Sequence, residues 1–142
     1  MNHNAALDEY RRFGLSNRVE SATPHRLIQM LMEGALQKIA SAKRQLQSGD
    51  IPGKGQQISW AISMIDGLRA SLDKSGEGDH SIAQNLDDLY DYMIRRLFEA
   101  NLRNESEYLD EVTGLLEQIK DAWDAIPREI IQDHAQHHGA PG

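Results

Sequence analysis

A chain of 142 residues, with formal net charge -7 at pH 7 and a pI near 5.3, is long enough to bury a core of its own. It is too acidic for a general nucleic-acid binder, which would show a basic patch. The lack of cysteine excludes a disulfide scaffold and thiolate metal sites and suits a reducing compartment such as the cytoplasm.

Residues 1–22 form a mostly polar N-terminal arm. Met1-Asn2-His3-Asn4 has no basic stretch followed by an apolar core, so a secretory signal is not expected. Leu7 and Tyr10 stand three apart and would share a face if the arm makes a short extra helix. Thr23-Pro24 marks a helix start, because threonine can cap free backbone N–H groups and proline fits the first helical position. From there Ile28, Leu31, Met32, Ala35, Ile39, Ala42 and Leu46 recur at steps of three and four. They predict a helix over about 24–47, roughly 36 Å long. Gly49-Asp50-Ile51-Pro52-Gly53 ends it.

A second helix is predicted over about 54–73, with Ile58, Ala61, Ile62, Ile65, Leu68 and Leu72 on its core face. Trp60 and Met64 lie roughly 120° away, four residues apart. Lys74 to Asp79 reads as a turn, and Ser81 with Gln84 resembles a capping box. The third helix, about 81–103, carries two apolar stripes. Ile82, Leu86, Leu89, Tyr90, Met93, Leu97 and Ala100 form one, which explains a core. Ile94, Phe98 and Leu102 form another, roughly 130° around the helix, which needs something else to cover it. Asn104 with Glu107 gives a further cap signal. The fourth helix, about 105–126, has a single apolar face of Leu109, Val112, Leu116, Ile119, Trp123 and Ile126, widened by Leu115 and Ala122. The polar run Gln132 to Gly142 makes a poor core, and residues 127–142 read as a C-terminal tail, mobile over about its last ten residues. Four amphipathic helices with short connections, over residues 23–126, predict an all-α antiparallel up-and-down four-helix bundle. No run of about 18 apolar residues interrupts the pattern, so no membrane insertion is expected.

The extra apolar residues suit a helix-in-groove partner, which needs surface beyond the core. Trp60, Met64, Ile94, Phe98 and Leu102 are the expected contacts. Tyr92, at the edge of the core face, and Asn101 join them, with packing and backbone satisfaction as the respective plainer roles. Arg95 and Arg96 read as solvated or paired with nearby acids, Arg95 with Glu99 four residues on.

Signs of chemistry are weak. Asp87, Asp88 and Asp91 look like a carboxylate cluster, yet a di-metal bundle site needs Glu-x-x-His on facing helices, and the sole such spacing, Glu77 to His80, falls in the glycine-rich turn. Gly53-Lys54 superficially resembles a phosphate loop but lacks the Ser or Thr after the lysine. In the bundle helices His25 alone is available as a base, and no thiol nucleophile exists. Neither an enzyme nor a cofactor is expected.

One combination is more specific than a generic bundle. Thr23-Pro24-His25-Arg26-Leu27-Ile28 precedes Met30-Leu31 and Gly34-Ala35-Leu36. Leu86-x-x-Leu89-Tyr90-Asp91-Tyr92-Met93-Ile94-Arg95-Arg96-Leu97 leads to Ala100-Asn101-Leu102-Arg103-Asn104. Glu111-Val112-x-Gly114-Leu115-Leu116 and Asp121-Ala122-Trp123 follow. Over about residues 7–126 the chain resembles the FliS family of flagellar secretion chaperones. The resemblance implies a cytoplasmic bundle with no enzymatic activity and no small-molecule substrate. It implies that the disordered C-terminal segment of flagellin lies in apolar grooves, is kept from premature assembly and is delivered to the flagellar export gate. Other flagellar regulators are possible further partners. It also implies that Leu7 and Tyr10 belong to an arm that docks in a groove of its own bundle or touches the export gate. A regulatory adaptor built on the same bundle, and a metal-carrying bundle, are the competing readings.

Overall fold

The computed structural model describes residues 23–73 and 81–126. Among them run four α-helices and no strand: α1 (Pro24–Ser48), α2 (Ile51–Ala70), α3 (Ser81–Arg103) and α4 (Ser106–Asp124). The expected arm (residues 1–22, with Leu7 and Tyr10), the turn at 74–80 and the tail from 127 lie outside the described residues.

Local chemistry sets the boundaries. The Thr23 hydroxyl accepts the Arg26 N–H at 3.1 Å, and Pro24 opens α1. Gly49 closes it in the left-handed region, φ 84°, where a side chain would be strained. That conformation brings the Asp50 N–H back to the Gln45 carbonyl at 2.8 Å. Asp50 at once caps α2, accepting the Gly53 N–H at 3.0 Å. Helix α2 therefore starts at Ile51 rather than near 54. Its proline falls in the first turn, where N–H groups have no intrahelical partner and none is missed. At the far end the Ser71 hydroxyl donates to the Leu68 carbonyl at 2.7 Å, and α2 stops at Ala70, short of the expected 73. Asn104 does not cap α4. It takes φ 56° and ends α3, with its N–H on the Ala100 carbonyl at 2.9 Å. Asparagine is one of the few L-residues that tolerate this region. Glu105 holds the N-cap position of α4 without a side-chain cap bond.

Cross-helix pairs fix the directions. Gln29, near the start of α1, donates to Asp124 at the end of α4, while Lys43, near the end of α1, reaches Asp110 near the start of α4. Lys54 reaches Asn101 and Arg69 reaches Asp87, so α2 and α3 are antiparallel too. Tyr92 and Arg96 both reach Glu111 across α3 and α4. Helices α1 and α3 thus sit on one diagonal, each flanked by α2 and α4.

The core lies on the bundle axis. Leu31, Ala35 and Ile39 meet Ile58, Ile65 and Leu68, with Met93 and Leu97 from α3 and Leu109, Val112 and Leu116 from α4. Two residues expected in the α3 core stripe are outside it. Ile82 is 74% exposed and Leu89 is 36% exposed. Tyr90, Met93, Leu97 and Ala100 mark the buried line. Leu89 shares the side of Tyr92 and Arg96, at three and seven residues, and so sits on the flank turned to α4. No described helix is long and apolar enough to cross a membrane.

Candidate functional site

The apolar residues of α3 beyond the core divide by depth. Ile94 is half-buried against the core. Phe98 and Leu102, one and two turns further on, are 57% and 76% exposed. Burial falls along the stripe because α3 carries it outward towards its own C-terminal turn. The stripe ends as an aromatic ring and a leucine side by side in solvent.

The matching pair on α2 does not behave as expected. Met64 is 2% exposed and belongs to the core. Helix α2 is flanked by both α1 and α3, so an interface lies about 120° from its main core line. Met64 fills that interface and is not available to a partner. Trp60, one turn earlier, stays at the rim, 37% exposed, with the Lys38 ammonium 4.1 Å from the ring centroid. A cation at that distance is attracted by the face of the indole. Trp60 therefore lies on the flank facing α1, whereas Phe98 and Leu102 lie at the other side of α2, by the end of α3. The expected residues do not converge on one patch.

Tyr92 and Asn101 are tied to neighbouring helices. The Tyr92 hydroxyl donates to Glu111 Oε2 at 2.7 Å, and Arg96 Nε donates to Glu111 Oε1 at 2.6 Å. These two bonds hold the Glu111 carboxyl below its ordinary range, and the same Glu111 bond holds the Tyr92 phenol above its own. The Arg96 guanidinium also lies 4.3 Å from the Tyr108 ring centroid. Arg95 pairs with Asp91, not with Glu99, which goes instead to Arg103. In both pairs the acid stands four residues before the arginine, the better orientation on a helix.

Sequence reading missed Lys54. It is 2% exposed, the only buried charged residue among those described. Its Nζ donates to Asn101 Oδ1 at 2.7 Å and to the Asn101 carbonyl at 2.9 Å. Burial lowers its pKa from the ordinary lysine value. A signal was present: Lys54, Ile58, Ala61, Ile65 and Leu68 follow steps of four and three, so Lys54 continues the core line of α2.

Among the described residues the acidic groups of α3 are tied up in pairs rather than gathered into a metal or catalytic centre. Arg69 pairs with Asp87 at 2.7 Å and with Asp91 at 3.3 Å, and Asp88 accepts from Gln84. Among the described residues no group of three or more His, Cys, Asp or Glu is placed to hold a metal ion. The His25 ring stacks on Trp123, centroids 4.7 Å apart, and the Trp123 indole N–H donates to the His25 carbonyl at 3.0 Å. Burial lowers the His25 pKa, opposed in part by Asp124.

The family model described as "Flagellar protein FliS" matches residues 6–130. The chain is 44% identical over 131 residues to the flagellar secretion chaperone FliS of Salmonella typhimurium, covering 91% of this chain and 96% of that protein. It is 46% identical over 121 residues to the flagellar secretion chaperone FliSB of Pseudomonas aeruginosa, covering 85% and 94%. With FliS of Bacillus subtilis the identity is 32% over 126 residues, covering 89% and 90%. The chain belongs to the FliS family of flagellar secretion chaperones, a family of chaperones and not of enzymes.

Proposed function

We propose that this chain is a cytoplasmic type III export chaperone that binds the disordered C-terminal region of flagellin. Binding in apolar grooves would prevent premature polymerisation and aid delivery to the flagellar export gate. The observation that carries this reading is the exposed pair Phe98 and Leu102 on a helix whose other apolar side is already buried. Ordering a disordered segment costs about 2–5 kcal/mol. Burying a leucine or phenylalanine side chain returns about 1.5–3 kcal/mol. Two anchors of this size therefore offset the cost, and further contacts supply the affinity. Trp60 is a third anchor, on the α1 side of α2, Ile94 extends the α3 stripe inward, and Leu7 and Tyr10 act as the arm that competes with flagellin or meets the gate. Tyr92 and Asn101 contribute at the helix edges.

Calorimetric titration of the full chain with a flagellin C-terminal peptide tests the reading. Tight one-to-one binding, with a large negative heat-capacity change and a gain of helix, is expected. Phe98→Ala should weaken it by about tenfold or more at unchanged melting temperature. No binding by a folded wild-type chain would refute the flagellin reading and favour the regulatory adaptor. Loss of fold in Phe98→Ala would assign the ring to packing.

A further inference from the structure

Lys54 is the buried charge that the client surface does not obviously need. It is 2% exposed and cannot touch a partner. The polar atoms it contacts belong to Asn101, in the last turn of α3. The final carbonyls of a helix have no intrahelical partner, and a cation there also complements the helix dipole. Lys54 supplies both for Asn101. The Asn101 amide oxygen faces the α2 backbone: a Cβ built on Gly55 would lie 3.5 Å from its Oδ1. Phe98 stands one turn before Asn101, Leu102 directly after it, and Asn104 ends the helix at φ 56°. With Leu102 at 76% and Phe98 at 57% exposure, little packing of their own holds these side chains in place.

We propose that Lys54 is a positioning residue for the client surface: a latch between α2 and the final turn of α3 that holds Phe98 and Leu102 ready for an apolar partner. The proposal rests on the client reading given above. A buried ammonium is an expensive way to fill space, and replacing both partners of such a contact by apolar groups is often neutral or stabilising, whereas removing the lysine alone leaves the Asn101 oxygens without their donor. What methionine could not supply is the pair of bonds that fixes this turn. Preorganisation of this kind lowers the ordering cost of binding.

The test compares the full wild-type chain with Lys54→Met and with Lys43→Met, whose surface lysine pairs with Asp110 at the opposite interface. Hydrogen exchange of the amides at residues 101–104 is read without client, and affinity is read with a synthetic flagellin C-terminal peptide. Lys54→Met is expected to speed exchange at the turn and weaken binding about tenfold, with the melting temperature lowered by a few degrees and the chain still folded at the assay temperature. Lys43→Met should change neither. Unchanged exchange in Lys54→Met overturns the proposal, as does faster exchange with affinity within about twofold of wild type. Should Lys54→Met fail to fold, exchange alone decides: Asn101→Asp keeps the oxygen acceptor and is expected to keep slow exchange at the turn, while Asn101→Leu speeds it; the reverse order overturns the latch. A wild-type chain that binds no flagellin peptide counts against the client reading, and the exchange measurement then decides the latch by itself.

Discussion

Burial pushes the Tyr90 phenol up to about 12. An unfolded chain releases that proton near pH 10, so the folded state binds more protons between the two values and stability falls as pH rises through them. Denaturant melts should lose roughly 2–3 kcal/mol from this group by pH 12, and Tyr90→Phe should remove that share of the decline. Lys54 acts in the opposite sense. Its lowered pKa means that the unfolded state takes up the proton first, so its contribution improves as pH rises towards the ordinary lysine value. His25 governs the acid side. Burial lowers its pKa, so the stability it contributes is present above the ordinary histidine value of 6.5 and is lost as pH falls through the folded value. His25→Gln should flatten a stability profile recorded from pH 7 downwards. The burial of Tyr90 was legible from its stripe, and Lys54 could have been found on the core line of α2, but the surroundings of His25 were not legible. A lysine reads as solvated and Asn104 reads as a cap until the neighbouring helix and the backbone angle are known.

At the scale of the element, periodicity found each helix but not every flank. Helix α4 has one apolar face, and the expected Leu109, Val112 and Leu116 are its buried residues. Helix α2 faces two neighbours, so a wheel that assigns it one core side mistakes an interface for a free surface. Met64 is the residue that pays for the mistake. Met64→Ala should cost about 2–5 kcal/mol in denaturant melts, as a core truncation does, whereas a surface role would predict almost none. Leu89 is the reverse case, expected within and placed at the flank. A single helix shows where its apolar side is and cannot show how far the next helix reaches around it. Gly114 gives a cleaner test of local propensity. It lies in α4 with nothing within 4 Å of where a Cβ would stand. Gly114→Ala should raise stability by about 1 kcal/mol, read as a melting temperature a few degrees higher.

For the whole molecule, the fold class and the family were legible because long-range order was not needed to see them. Four periodic segments with short connections leave few alternatives to a bundle, and the Tyr-Asp-Tyr-Met segment narrowed the family. The exposed apolar surface was legible only in part. Phe98 and Leu102 stand exposed as the second stripe suggested, Trp60 lies on a different flank, and Met64 is inside. Two polar pairs between helices, Arg96 with Glu111 and Lys43 with Asp110, keep substantial solvent exposure, while Asp87 opposite Arg69 is 14% exposed. Such pairs contribute about 0–1 kcal/mol each. They select the register of neighbouring helices more than they stabilise the bundle, so moderate salt should leave the melting temperature almost unchanged. The Glu111 junction is the exception to watch in acid. Its lowered pKa supplies stability above the ordinary carboxylate range that disappears as pH falls through the folded value.

The two tryptophans occupy unlike surroundings on different flanks of α1, one beneath an ammonium and the other stacked flat on an imidazole. The bundle therefore contains its own pair of emitters. Trp60→Phe and Trp123→Phe would each leave one indole, reporting on the α1–α2 rim or on the α1–α4 end. A shift in one spectrum with the other unmoved would assign an event to a flank without any attached dye.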